Sequence, residues 1–341
     1  MAIFVFKEFG GVKMHIPDNY LSPSTCATFG VAMVPVWRRA IIKIKQEVTR
    51  QKIPLLGVCA AFSFLVMMFN IPLPGGTTGH AVGAALAAIL LGPYCAVISV
   101  TIALTVQALF FGDGGVLALA VNCFNMAFIM PFTAHYVFNF IKSFIKNKKG
   151  EYIGVFIAGY VSLNIAALFT AIEFGIQPIL FKDGAGLPIY SPYGLAIAIP
   201  AMMIPHLLVA GVLEGIITTG VYSYVKKLTP EIIYKESNNK IKPLYFLIGI
   251  LVLATPLGLL ATGTAWGEWG AEEVQELVGF IPNGMKNGFN FSAPMPDYGL
   301  EGLKEYFAYI LSALVGITVI FLIIKLWGKV SYKNSQKVQN D

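Results

Sequence analysis

The sequence predicts an all-α, polytopic integral membrane bundle, and three observations predict it. Hydrophobic side chains make up 56% of the 341 residues and charged ones only 12%, about half the charged share of an ordinary soluble domain. Apolar runs of about 20 residues, enough to carry a helix across a ~30 Å hydrocarbon core, recur along the chain. The lysines and arginines gather in the polar stretches between those runs, as expected of loops between spans. The formal net charge of +6 therefore reports topology and gives no ground for a nucleic-acid partner.

Nine candidate spans follow in order, roughly 22–37, 54–71, 79–91, 94–111, 115–140, 152–176, 193–225, 243–262 and 304–328. The third is short, and Gly92 and Pro93 leave little room for a loop before the fourth, so these two read as a broken or tilted pair. Nineteen of the 24 Lys and Arg residues fall in the stretches 38–52, 141–151 and 226–242 and in the tail from 325. By the positive-inside rule these are cytoplasmic, which puts the N-terminus outside and the C-terminus in the cytoplasm of a prokaryotic plasma membrane. An odd number of spans agrees.

Four segments organise the chain. Residues 1–13, MAIFVFKEFGGVK, have neither the basic start nor the apolar core of a secretory signal, and are expected to be an upstream extension absent from the mature protein. Residues 14–228 form a seven-span unit, 229–242 a polar cytoplasmic linker, and 243–341 a two-span unit. The last two spans are separated by an external segment of about 40 residues, 263–303, too long for a passive turn.

Enzyme signatures are sparse. The sequence contains no GxxxxGK[ST] loop, HExxH, GxSxG or dinucleotide fingerprint, so an ATPase that drives transport would have to be another chain. Cys26, Cys59, Cys95 and Cys123 lie in or beside apolar segments without metal-ligand spacing and read as packing residues.

Ionisable and polar groups inside spans are costly and therefore mark candidate sites. His80 follows a Pro- and Gly-rich turn in PLPGGTTGHAVGAALAAILLGPY; it is either a hydrogen-bonded interfacial residue or a ligand approached closely across glycine. His206 and Glu214, eight apart and near one helix face, suggest with Glu173 a buried polar network or a subunit contact. Gln107, Asp113, Asn122 and Asn125 cluster in QALFFGDGGVLALAVNCFNMA, with Asn122 and Asn125 at i, i+3 on one face; helix glue and support of a site are both open. His135, near a basic loop, reads as structural. Ala81, Ala84, Ala85 and Ala88 suit close packing either on a partner or within the chain.

The pair Met14–His15 carries more chemistry. Were Met14 the first residue, its α-amine, the His15 backbone nitrogen and His15 Nδ1 would chelate one metal in fused rings, favouring the near-planar geometry of Ni(II) or Cu(II), with a further imidazole as fourth donor. His80 lies on the same, external side. Gly10 and Gly11 can be encoded by a ribosome-binding sequence with Val12 and Lys13 as its spacer, which supports a start at Met14.

At these residues the chain resembles the CbiM/NikM family, substrate-binding membrane components of cobalt and nickel energy-coupling factor importers. MHIPDNYLSP, GGTTGHAVGAALAAILLGPY, QALFFGDGGVLALAVNCFNMA and PHLLVAGVLEG carry the resemblance. It implies a bundle whose N-terminus plugs inward to hold the metal, with Met14, His15 and His80 as ligands; Gln107, Asn122 and Asn125 are the candidates for supporting them. TPLGLLAT and APMPDYGLEG resemble the two-span accessory component, fused here to the binding component. The implied partners are a transmembrane coupling component, cytoplasmic ATP-binding subunits and the lipid bilayer. No cofactor is implied, Ni(II) or Co(II) being the transported ligand. A self-contained secondary carrier or channel and a membrane-embedded enzyme are the alternative classes.

Overall fold

The structure, a computed structural model, describes residues 15–47, 53–74, 77–233, 241–261 and 263–340. Met14, the expected extension 1–13 and half of the expected linker, 234–240, lie outside the described residues. The chain forms α1 (Pro23–Glu47), α2 (Ile53–Met67), a two-stranded antiparallel hairpin β1 (Ile71–Leu73) and β2 (Thr77–Gly79), α3 (Ala84–Leu91) and α4 (Pro93–Val106). Then come α5 (Leu119–Asn122), α6 (Met130–Phe144), α7 (Lys148–Leu180), α8 (Leu195–Pro205), α9 (Gly211–Leu228) and α10 (Pro230–Ile233). The C-terminal part contributes α11 (Lys242–Ala254), the short helices α12 (Ala271–Val278) and α13 (Asn283–Lys286), and α14 (Glu305–Asn340).

Among the described residues, five helices are long and apolar enough to cross a membrane: Pro93–Phe111, Lys148–Leu180, Leu195–Leu228, Lys242–Leu260 and Glu305–Gly328. The shorter Ile53–Met67 is equally apolar in character. The nine expected spans are thus not nine helices of that length. The third is the clearest departure, because α3 has eight residues, about 12 Å of helix. Gly92 turns the chain directly into α4 at Pro93, giving the broken pair that the sequence suggested.

Small residues position these elements. Ala81, Ala84, Ala85 and Ala88 are all buried, and α3 packs on α4 and α6, so this small-residue face serves packing within the chain. The C-terminal unit is joined to the first by α14, which packs along α2. A Cβ at Gly316 would stand 2.2 Å from the Phe64 ring, so glycine there lets the two helices approach. Large apolar side chains such as Ile179, Leu208, Phe246 and Leu253 point outward, exposed, as suits surfaces that meet lipid. All four cysteines are buried, and none forms a disulfide among the described residues.

Three π-helical turns interrupt the apolar helices: Gln107–Phe111 after α4, Cys123–Ile129 between α5 and α6, and His206–Ala210 between α8 and α9. Pro131 and Pro205 lack the N–H that continues an i to i−4 ladder, and they stand beside two of these turns. Each turn carries a polar residue flagged in the sequence: Gln107, Asn125 and His206.

Candidate functional site

The segment that begins at His15 is held by hydrogen bonds to the turn between α4 and α5. Ile16 N–H donates to Asn122 Oδ1 at 3.0 Å, and Asn122 Nδ2 returns a bond to Ile16 O at 3.0 Å, so one side chain satisfies both backbone groups. Gly115 N–H also donates to Ile16 O at 2.9 Å. The Asp18 carboxylate accepts from the N–H groups of Val116, Leu117 and Ala118 at 2.9, 2.8 and 3.2 Å, capping the start of the next helical stretch. Gly114 allows the close approach: its φ is +83°, and a Cβ there would meet His15 Cβ at 2.9 Å.

His15 itself is buried. Its Nδ1 lies 2.8 Å from Asp113 Oδ1. The other oxygen of Asp113 accepts from the Tyr298 hydroxyl at 2.5 Å and from Gln107 Nε2 at 3.2 Å, and Gln107 Nε2 also donates to the Tyr298 oxygen at 2.9 Å. Burial opposes ionisation of Asp113, but the neighbouring His15 and the bonds from His15 and Tyr298 outweigh it and hold the carboxyl at about 2. Burial and the Asp113 charge push the Tyr298 hydroxyl well above the usual phenol range, which keeps it a donor.

His80 arrives by a different route. The hairpin pairs Ile71 with Gly79 and delivers His80 directly after β2. The Glu214 carboxylate then accepts from Val82 N–H at 2.7 Å and Gly83 N–H at 3.2 Å, occupying donors that α3 leaves without helical partners. His80 Nδ1 lies 2.9 Å from Ala81 O. The two imidazoles meet with ring centroids 5.2 Å apart and planes at 52°.

Each Nδ1 faces an oxygen, so in both rings Nε2 is the nitrogen that these two bonds leave unengaged. This changes one expectation. Nδ1 of His15, the ring atom expected to chelate, is engaged by Asp113; Nε2 of His15 is buried with no hydrogen-bond partner among the described residues. Chelation through Nδ1 requires the ring to turn out of its bond to Asp113.

A cavity of about 90 Å³ adjoins both histidines, bordered also by Thr77, Thr170, His206, Trp266 and Glu268, with room for about three waters. His206 Nδ1 bonds Met202 O at 2.7 Å. Trp266 and Glu268 belong to the segment 263–303, which covers this end: Trp266 N–H donates to Thr77 Oγ1 at 2.7 Å, and Tyr20 OH donates to Trp269 O at 2.7 Å. Among the described residues no three His, Cys, Asp or Glu side chains gather as a metal site.

Of the residues singled out in the sequence, His15, His80, Gln107, Asp113 and Asn122 come together. Asn125 instead bonds α7, the interhelical contact that is one of its two open readings. The π-turn starting at Cys123 re-phases the helix after Asn122, so Asn125 Nδ2 bonds Glu173 Oε2 at 2.7 Å and Thr170 Oγ1 at 3.0 Å. The expected joint network of Glu173 and Glu214 separates likewise, Glu214 serving α3 and Glu173 serving Asn125. Asp18 and Tyr298 carry the site without having been singled out; the signals were the acid following MHIP and the PDYG turn.

With this geometry in view, the comparisons with known proteins are specific. Residues 15–232 match the family described as the cobalt uptake substrate-specific transmembrane region, CbiM, and residues 242–333 match the PDGLE domain. A "Probable fused nickel transport protein LarMN" of Lactiplantibacillus plantarum is 45% identical over 322 residues, 92% of this chain and 97% of the relative. A fused nickel transport protein NikMN of Rhodobacter capsulatus is 43% identical over 329 residues, covering 90% and 95%. The crystal structure of a truncated transition metal transporter superposes with a TM-score of 0.60 at 51% identity, covering 63% of this chain and 99% of that one. The chain is therefore a multi-pass membrane protein of the CbiM family that carries a PDGLE domain in the same polypeptide.

Proposed function

We propose that this chain is the substrate-capture subunit of an ATP-driven importer for Ni(II) or Co(II), the metal being cargo and not a resident cofactor. The observation that carries the reading is the convergence of two buried imidazoles, His15 and His80, under an external segment that closes over them. Nitrogen donors suit late divalent transition metals. The names of the two relatives, both nickel transport proteins, support the same cargo.

Two imidazoles leave a four-coordinate metal incomplete. In this reading the remaining donors are the backbone nitrogen of His15 and the α-amine of Met14, free in a chain that starts there. His15 then leaves Asp113 and presents Nδ1 to the metal, closing the fused chelate rings with Met14. Residues 14–228 act as the metal-binding unit, 229–242 as the cytoplasmic linker and 243–341 as the accessory unit. The N-terminus lies outside and the C-terminus in the cytoplasm, in a prokaryotic plasma membrane. Transport energy comes from cytoplasmic ATP-binding subunits through a transmembrane coupling component.

Metal analysis and equilibrium Ni²⁺ binding on the purified native protein test the reading. One metal per chain is expected, with affinity falling at least about 100-fold in His15→Ala and in His80→Ala, as when a primary ligand is removed. Unchanged stoichiometry and affinity in both variants would refute it. Intact mass of the native chain reports whether the Met14 amine is free, and co-purification with ATPase subunits separates the importer from a self-contained carrier.

A further inference from the structure

We propose that Tyr298, delivered by the external segment between α11 and α14, is a positioning residue for the metal ligand His15 and acts on it through Asp113. The inference rests on the proposed function, in which His15 binds the metal, and adds to it a residue from the C-terminal unit.

The chain of contacts is direct. Tyr298 OH donates to Asp113 Oδ2 at 2.5 Å, and Asp113 Oδ1 receives His15 Nδ1 at 2.8 Å. Three residues that lie 98 and 185 positions apart thus form one buried line, with Tyr298 2% exposed. The backbone has been bent to place this hydroxyl. Asp297 and Tyr298 both have positive φ, 52° and 60°, a conformation that costs a non-glycine residue free energy and persists only where the surroundings impose it. Those surroundings are visible: Met295 N–H donates to Phe110 O at 3.0 Å, Ser312 Oγ donates to Tyr298 O at 2.8 Å, and the Tyr298 ring stacks on Phe111 with centroids 4.8 Å apart.

The chemistry follows from sharing one carboxylate. A donor on Oδ2 fixes the rotation of Asp113 and so the direction in which Oδ1 meets His15. It also withdraws charge from the carboxylate, which makes the bond to His15 easier to exchange for a metal. Removing that donor returns charge to the carboxylate and strengthens its hold on His15, which His15 must give up to take the metal, and this opposes metal binding. Residues that act on a metal-ligating histidine from outside the ligand set typically change affinity about 10- to 100-fold when removed. Gln107 Nε2 remains on the same oxygen, so the lower end of that range applies.

The test is equilibrium Ni²⁺ binding by the full chain with its native N-terminus, together with the visible absorption of the bound Ni(II). Tyr298→Phe keeps the ring stacked on Phe111 and removes only the hydroxyl; it is expected to weaken binding about 10-fold and to alter the absorption. In an Asp113→Asn background the same substitution should add nothing. Tyr309→Phe is the control, since this buried tyrosine bonds Met68 O at 3.2 Å and touches the Tyr298 ring; affinity should stay at the parent value. If Tyr298→Phe does not fold, Gln107→Met, which removes the other donor to the same oxygen, is expected to weaken binding and lose its effect in Asp113→Asn. Parent affinity in Tyr298→Phe, or an effect that persists undiminished in Asp113→Asn, overturns the inference while His15→Ala still loses metal. Parent affinity in His15→Ala overturns the proposed function and this inference with it.

Discussion

His15 and His80 face each other across 5.2 Å, yet they are held in opposite ways. His80 stands on regular structure: a paired hairpin before it, a helix after it, and one carboxylate, Glu214, on the helix donors. His15 stands on irregular chain, and six hydrogen bonds to the backbone or side chains of residues 115–122 replace the regular structure. Its ring is further tied to Asp113 and, through it, to the C-terminal unit. A hairpin and a capped helix make one half of the site fixed. A network of exchangeable side-chain bonds makes the other half releasable, as a segment that captures and surrenders cargo must be.

This contrast can be broken from the His80 side first. Glu214→Leu strips a carboxylate from two buried N–H groups, and roughly 2–5 kcal/mol of stability is expected to be lost. Thermal unfolding in detergent should show this with or without Ni²⁺, the loss of affinity coming along with it. Breaking the His15 side should look different. Asp18→Ala frees three N–H groups close to the surface, where water replaces the carboxylate, so a stability cost of about 1–2 kcal/mol is expected. Ni²⁺ affinity should fall more than stability does, because the segment carrying His15 is released while the bundle stands. An equal stability loss in the two variants would erase the contrast. The smallest effect on affinity is expected from Gly114→Ala, where about 1–2 kcal/mol of backbone strain at φ +83° adds to contact with His15 Cβ. Affinity should drop about tenfold or less, with His80-dependent properties untouched.

The sequence disclosed the two histidines, because each stood in a pattern with its own chemistry: an amine-adjacent imidazole, and an imidazole after glycines. It disclosed Asn122 and Gln107 as polar residues in apolar helices. It could not separate Asn122 from Asn125, since their i, i+3 spacing presumes an unbroken α-helix and a π-turn intervenes. Asp18 and Tyr298 were illegible for another reason. Their value lies in partners 98 to 100 and 185 positions away, and no local periodicity encodes such pairings. The helical class was plain from composition, whereas the number of spanning helices was not, because an apolar run bent at Gly92 has the same composition as a straight one.

The bond between Tyr298 and Asp113 also has a meaning in time. At roughly 5–20 residues per second of synthesis, the 185 positions between them amount to about 10–40 s during which Asp113 is already made and its phenolic partner is not. A nascent chain interrupted before Tyr298 would carry both histidines but lack the hydroxyl that bonds the carboxylate beside His15. Placing the PDGLE unit behind the CbiM unit in one polypeptide thus leaves the His15–Asp113–Tyr298 line incomplete until the C-terminal unit is made.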